Sequence, residues 1–303
     1  MMQSNKSRVF CFSAFAFAFV LLSNCTNSPP KLEPEQNRPT RIVSISPSVT
    51  EILYGIGSWS QVIAVSEYCT YPADVVNKPR VSGWGSTNLE QVTALKPDIV
   101  IGVDAQEAFL RDKLNAIGVR SLFVKSQTLT DIYAAIEQIG KTVGHASEAA
   151  ELAARTRNEV EQVKAALADR PRIRVLCVVD RVPGTLRDIY VATRGSFLDE
   201  MVNIAGGEPI APQANSGYGK ITKEAVLSLD PEVIIDMVQT PKGRLAENPV
   251  QVWRELSEVH AVQTGRVFSM GHDTTIHPSQ FVAQTTRRFA HYIHPEVFPA
   301  LPD

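Results

Sequence analysis

The chain has 303 residues, of which 44% are hydrophobic and 20% charged, and a formal net charge of −2. That apolar content is enough for two packed cores and excludes a disordered chain. No Lys- or Arg-rich stripe occurs, which excludes nucleic acid as a partner.

Lys6 and Arg8 precede an apolar run over residues 9–22, the charged and hydrophobic regions of a secretory signal and too short for a spanning helix. The run closes on Leu22-Ser23-Asn24-Cys25, which resembles a bacterial lipobox, although Asn24 departs from the small residue usual there. Residues 1–24 are therefore expected to be a lipoprotein signal peptide, with Cys25 the acylated first residue of the mature protein. Residues 25–40, Pro-rich and polar, read as a flexible tether. The resulting location is extracytoplasmic, held to a membrane by the lipid. Of four cysteines, Cys11 leaves with the signal and Cys25 carries lipid, so only Cys69 and Cys177 could pair. Cys177 lies in an apolar strand and is expected to be a buried free thiol.

From residue 41, strands and helices alternate. Strands are expected over 41–46, 61–65, 99–101 and 121–124, with helices over 48–56, 88–95 and 107–117. This βαβ order predicts a parallel sheet over residues 41–127. Residues 128–171 carry the longest helical pattern, with Leu129, Ile132, Ile136, Ile139 and Val143 on one face and Gly140 and Gly144 marking a bend or break. A helical connection of this length predicts a stiff hinge without large closure. A second α/β lobe over 172–303 restarts with a strand at 173–179. It continues through helix 196–204, a helix starting at 222, strand 233–235, strand 267–270 and helix 278–293.

Two stretches repeat at one constant offset: Asn88-Leu-Glu-Gln-Val-Thr-Ala-Leu-Lys-Pro-Asp-Ile-Val-Ile and Thr222-Lys-Glu-Ala-Val-Leu-Ser-Leu-Asp-Pro-Glu-Val-Ile-Ile. Each reads as a short amphipathic helix, a terminating Pro and an apolar strand of a parallel sheet. A period this long, present twice, implies two like lobes with a cleft between them. Glu90 and Glu224 fall in the first turns, where the helix dipole alone accommodates an acid. Thr87 with Glu90 spells a capping box, which Ile221 does not repeat.

Arg41-Ile-Val-Ser-Ile-Ser-Pro-Ser-Val-Thr-Glu51, Ser82-Gly-Trp-Gly-Ser-Thr-Asn-Leu-Glu90, Leu95-Lys-Pro-Asp-Ile-Val, Ala205-Gly-Gly-Glu and Lys223-Glu-Ala-Val-Leu resemble the substrate-binding proteins of ABC importers for cobalamin, ferric siderophores and haem. The resemblance runs from about Arg41 to the end and is strongest to the cobalamin-binding branch, whose pocket positions are aromatic here at Tyr68, Trp84 and Tyr218. It implies two Rossmann-like lobes with parallel sheets joined by a long interdomain helix, and a monomer that serves a permease homodimer with its cytoplasmic ATPase. Glu90 and Glu224 would each dock on arginines of one permease subunit. Ala205 stands where the family commonly carries a disulfide cysteine.

The ligand chemistry agrees with that resemblance. Flat, largely apolar macrocycles are held by aromatic faces with a few polar groups for orientation. Tyr68, Trp84, Tyr218 and Ser48 are the candidate contacts, together with Asp273 and His277 in the loop Gly271-His272-Asp273-Thr-Thr-Ile-His277-Pro278. That loop follows a strand, the usual address of a ligand site. His272 and His277 are weak metal candidates, since no third ligand is evident in sequence. Walker A, Gly-x-Ser-x-Gly and His-Glu-x-x-His patterns are missing, so a binding protein is expected rather than an enzyme; the enzyme alternative is a chelatase-like site at His272, Asp273 and His277.

Overall fold

The computed structural model describes residues 38–83, 86–215, 217–238, 248–270 and 277–299. The expected signal peptide, Cys25 and nearly all of the tether lie outside these residues.

The first half is built on five parallel strands: β1 (Ile42–Ser44), β2 (Val62–Ser66), β3 (Arg80–Ser82), β4 (Ile99–Val103) and β5 (Ser121–Val124), in the order β3-β2-β1-β4-β5. Helices α1 (Pro47–Gly55), α2 (Leu89–Leu95) and α3 (Asp104–Ala116) connect them. All five residues of β4 are buried, as expected of a strand covered on both faces. The order reverses between β1 and β4, so the carboxyl end of β1 is a topological switch point, where open α/β sheets place their ligands.

The connecting segment is helical but forms two helices, α4 (Leu129–Val143) and α5 (Ala146–Ala166). Gly144 ends α4 in the left-handed conformation at φ 87°, and the chain doubles back. A Cβ on Gly140 would lie 2.1 Å from that of Ala149, so glycine permits the close approach of the two helices. Helix α4 packs on α1 and β5, whereas α5, 21 residues long, is the interdomain helix that reaches the second half.

Among its described residues that half holds six strands: β6 (Ile173–Asp180), β7 (Ile189–Ala192), β8 (Gly207–Pro209), β9 (Tyr218–Ile221), β10 (Val233–Asp236) and β11 (Val267–Ser269). Its helices are α6 (Phe197–Ile204), α7 (Lys223–Leu229), α8 (Pro249–Trp253), α9 (His260–Gln263) and α10 (Val282–Ile293). The order is β11-β10-β6-β7-β9, with β8 also on β6. Here the expectation of a purely parallel sheet needs correction, because β7 runs antiparallel to both β6 and β9. The link from β6 to β7 is too short for the crossover that a parallel strand requires.

The internal repeat is visible in detail. Arg41 Nη2 donates to Leu95 O at 2.6 Å, and Asp98 Oδ2 accepts from Arg41 N at 2.9 Å. In the second half Arg174 Nη2 donates to Leu229 O, and Glu232 Oε2 accepts from Arg174 N at 3.0 Å. Both repeat helices end on a left-handed non-glycine residue, Lys96 at φ 46° and Asp230 at φ 40°. The Thr87–Glu90 capping box does not form. Asn88 caps α2 by accepting from Gln91 N, Thr222 caps α7 by accepting from Ala225 N, and the Thr87 hydroxyl instead meets Ser82 Oγ at 3.0 Å.

One apolar core runs from β1 and α1 through α4 and α5 to α6, α10 and the second sheet. Separate clusters lie on the remaining face of each sheet.

Candidate functional site

The carboxyl end of β1 is stitched by hydroxyls. Thr50 Oγ1 donates to Ser44 Oγ at 2.8 Å, Ser44 Oγ donates to Ser46 O, and Ser46 Oγ and Ser48 Oγ lie 3.0 Å apart. Cys69 Sγ meets Thr50 Oγ1 at 3.1 Å, and burial pushes its thiol up to about 11, so it stays protonated. Ser48 is buried within this network, so it shapes the turn and does not present its hydroxyl on an open surface.

Tyr68 follows β2 and is 44% exposed, with its backbone N–H held by Ser66 Oγ. Tyr218 opens β9 and is 37% exposed, yet the surrounding protein pushes its phenol pKa up by desolvation. The register pairs Ala192 with Tyr218 and Tyr190 with Lys220, which puts all four on one face of the sheet. Ile189, Val191 and Ile221 fill the opposite face. Tyr190, 41% exposed, is thus a second aromatic beside Tyr218 that sequence reasoning missed. The alternation Ile189-Tyr190-Val191 was the available signal.

Missed as well was a buried charge pair at the carboxyl ends of β6 and β10. Arg181 Nε donates to Asp236 Oδ2 at 2.9 Å, and both side chains are 0% exposed. Trp253 Nε1 donates to the same oxygen at 2.8 Å, and Val238 N donates to Oδ1. Such a pair is tolerated in the interior when further hydrogen bonds satisfy it, as Trp253 and Val238 do for Asp236.

The polar contact between the halves centres on Glu51, a buried residue of α1. His277 Nδ1 lies 2.6 Å from its Oε1, Ser279 Oγ donates to Oε2 at 2.5 Å, and Gln280 Nε2 donates to the Glu51 carbonyl at 2.9 Å. His277 therefore spends one ring nitrogen on Glu51. Helix α10 begins at Val282 rather than at 278, after a turn in which Val282 N donates to Ser279 O. Trp84, His272 and Asp273 lie outside the described residues. Among the described residues, no group of three His, Cys, Asp or Glu side chains could hold a metal ion, and no helix is long and apolar enough to cross a membrane.

Glu90 and Glu224 are both exposed at equivalent places in α2 and α7. The carboxyl of Glu224 is held below the usual range by its own backbone N–H and by the Thr222 hydroxyl. Cys69 and Cys177 are unpaired and buried, so no disulfide joins them. Ala205, where the family resemblance expects a cysteine, is fully buried.

Residues 42–274 match the model of a protein family described as periplasmic binding protein. The chain is 27% identical over 97% of its length to an uncharacterized ABC transporter substrate-binding lipoprotein, YvrC, of Bacillus subtilis, 99% of which is covered. It is 28% identical to a vitamin B12-binding protein of Vibrio parahaemolyticus, over 79% of this chain and 84% of that one. Among solved structures, a periplasmic heme-binding protein from Pseudomonas aeruginosa superposes with a TM-score of 0.76 at 23% identity, covering 87% of this chain and 95% of that one. The periplasmic vitamin B12-binding protein BtuF of Vibrio cholerae gives 0.70 at 24% identity, over 84% and 96%.

Proposed function

Because the chain belongs to the periplasmic binding protein family, whose members are binding proteins of transporters and not enzymes, we propose that it captures cobalamin outside the cytoplasm and delivers it to an ABC permease with its ATPase. It is a substrate-binding protein of an ABC transporter in the cobalamin, siderophore and haem class. The chelatase alternative falls with the family.

The observation that carries the reading is the pair of exposed aromatic residues Tyr218 and Tyr190 on one face of the β7–β9 ribbon. A broad aromatic wall suits a corrin face, and Tyr68 supplies an exposed ring from the first half. Trp84 and Asp273 complete the proposed contacts. Relatives named for vitamin B12 support cobalamin over the other macrocycles. Ser48 belongs beneath the site, not in it. Cys25 carries the proposed lipid tether, and Glu90 and Glu224 the proposed permease contacts.

Titration calorimetry of the purified protein with cyanocobalamin, haemin and ferric chelates tests the assignment. Saturable one-to-one binding of cyanocobalamin, tighter than that of the other two, is expected. Preference for haemin or a ferric chelate would move the protein to the other branch of its class.

A further inference from the structure

The five residues 277–281 form a strap from the second half across the first. Three of them meet Glu51, as described above. A fourth contact is aromatic: Phe281 packs edge to face on Tyr71, with ring centroids 5.1 Å apart at 86°. Tyr71 in turn packs at 5.2 Å on Tyr54 of α1, so the strap lies along one side of that helix. Gly55, at the end of α1, records how closely the second half presses there. A Cβ at this position would come within 2.9 Å of Leu152 Cδ2, on α5, and within 3.0 Å of Gln280 Nε2. Side chains from the strap and from the interdomain helix thus converge on α1.

A carboxylate buried where two bodies meet is costly unless its oxygens are met, and both oxygens of Glu51 are met from the other body. The halves therefore lose a satisfied buried acid if they separate at this seam. The turn after β2 that bears Tyr68 and the strand β9 that bears Tyr218 belong to these same two bodies.

We propose that Glu51 is a positioning residue for ligand capture: through His277 and Ser279 it locks the spacing of the two halves, so that both walls of the site are presented preformed. This rests on the reading of a cleft ligand only for its affinity consequence. The locking itself does not depend on which ligand binds. A preformed site avoids the ordering cost that a mobile pair of walls would pay at each capture.

The test labels Ala94→Cys and Ser228→Cys, exposed and repeat-equivalent positions on α2 and α7, in the full chain with Cys11→Ser and Cys25→Ser. Buried Cys69 and Cys177 are expected to stay unlabelled. Pulsed electron paramagnetic resonance then reads the distance between halves without any ligand. The parent should give one narrow distribution, and Glu51→Ala at least a twofold broader one. Cyanocobalamin affinity should fall at least tenfold alongside. Glu51→Gln keeps an acceptor for Ser279 and should restore a narrow distribution, which a loss of bulk stability alone would not predict. Should Glu51→Ala fail to fold, Ser279→Ala decides, with an intermediate broadening expected. A melting temperature that falls while the distribution stays narrow in Glu51→Ala, or in Ser279→Ala where that variant decides, would overturn the proposal. Absence of cyanocobalamin binding by the parent would sink the ligand reading and leave the distance result to judge the lock.

Discussion

Arg41, just before β1, and Arg174, in β6, perform the same task in the two halves: each reaches to the carbonyl of the last residue of its repeat helix, Leu95 and Leu229. The acid one residue beyond each repeat's proline, Asp98 or Glu232, returns the bond to the arginine's backbone N–H. Helix-ending carbonyls otherwise lack a partner within the helix, and a cation there also favours the dipole. Arg174→Met should remove a charge-assisted bond and cost about 1.5 to 3 kcal/mol of stability. Urea melts are expected to show this, with ligand affinity unchanged because the arginine lies at the amino-terminal side of its sheet.

Tyr218→Ala should weaken ligand binding by about 1 to 3 kcal/mol, the value of a buried, stacked ring. Tyr218→Phe should keep most of it. Trp84→Ala is expected to match Tyr218→Ala. Calorimetry reads all three, and an unchanged affinity with a lowered melting temperature would return either residue to the core.

Reversal of both Glu90 and Glu224 to Arg should abolish uptake in vesicles containing the permease while leaving ligand affinity near wild type. Like charges then face each other at two docking points. If the two acids served only their helices, the double variant would melt earlier and still transport.

Asp98 accepts from Thr40 N, Arg41 N and the Thr40 hydroxyl, and these bonds, the one from Thr40 N foremost, hold its carboxyl below the ordinary 3.8. A depressed folded pKa gives stability that is complete above the unfolded value and is lost as pH falls through the folded one. Stability of the wild type should therefore decline as pH drops below about 3.9. Asp98→Asn should be less stable at neutral pH and show a shallower decline in acid, as measured by denaturant midpoints across the pH range.

The strands legible in sequence were those buried on both faces, since β4, β6 and β10 are apolar runs that pattern alone identifies. Strands β7 and β9 escaped because they are not apolar runs: Tyr190, Gly219 and Lys220 interrupt them and read as loop until an antiparallel partner is supplied. Glu51 was quoted in a motif, but its partner His277 lies 226 residues away, beyond any local period. The first-turn acids were found correctly, and the cap of α2 was misplaced by one residue. Thr87 and Asn88 are both good cap residues, and only the bridge between Ser82 and Thr87 decides between them.

The two left-handed helix ends are not equivalent in what they return. Non-glycine residues in that conformation cost about 1 to 2 kcal/mol each. Asp230 recovers part of this by accepting from His260 N at 2.7 Å, the first residue of α9. Lys96 is exposed, and what it contributes among the described contacts is its backbone carbonyl, which a glycine would keep for Arg41. Thermostability is thus held in reserve at one repeat only. Lys96→Gly should raise the melting temperature, whereas Asp230→Gly should gain little or lose, which makes the first position a practical entry for engineering a hardier carrier.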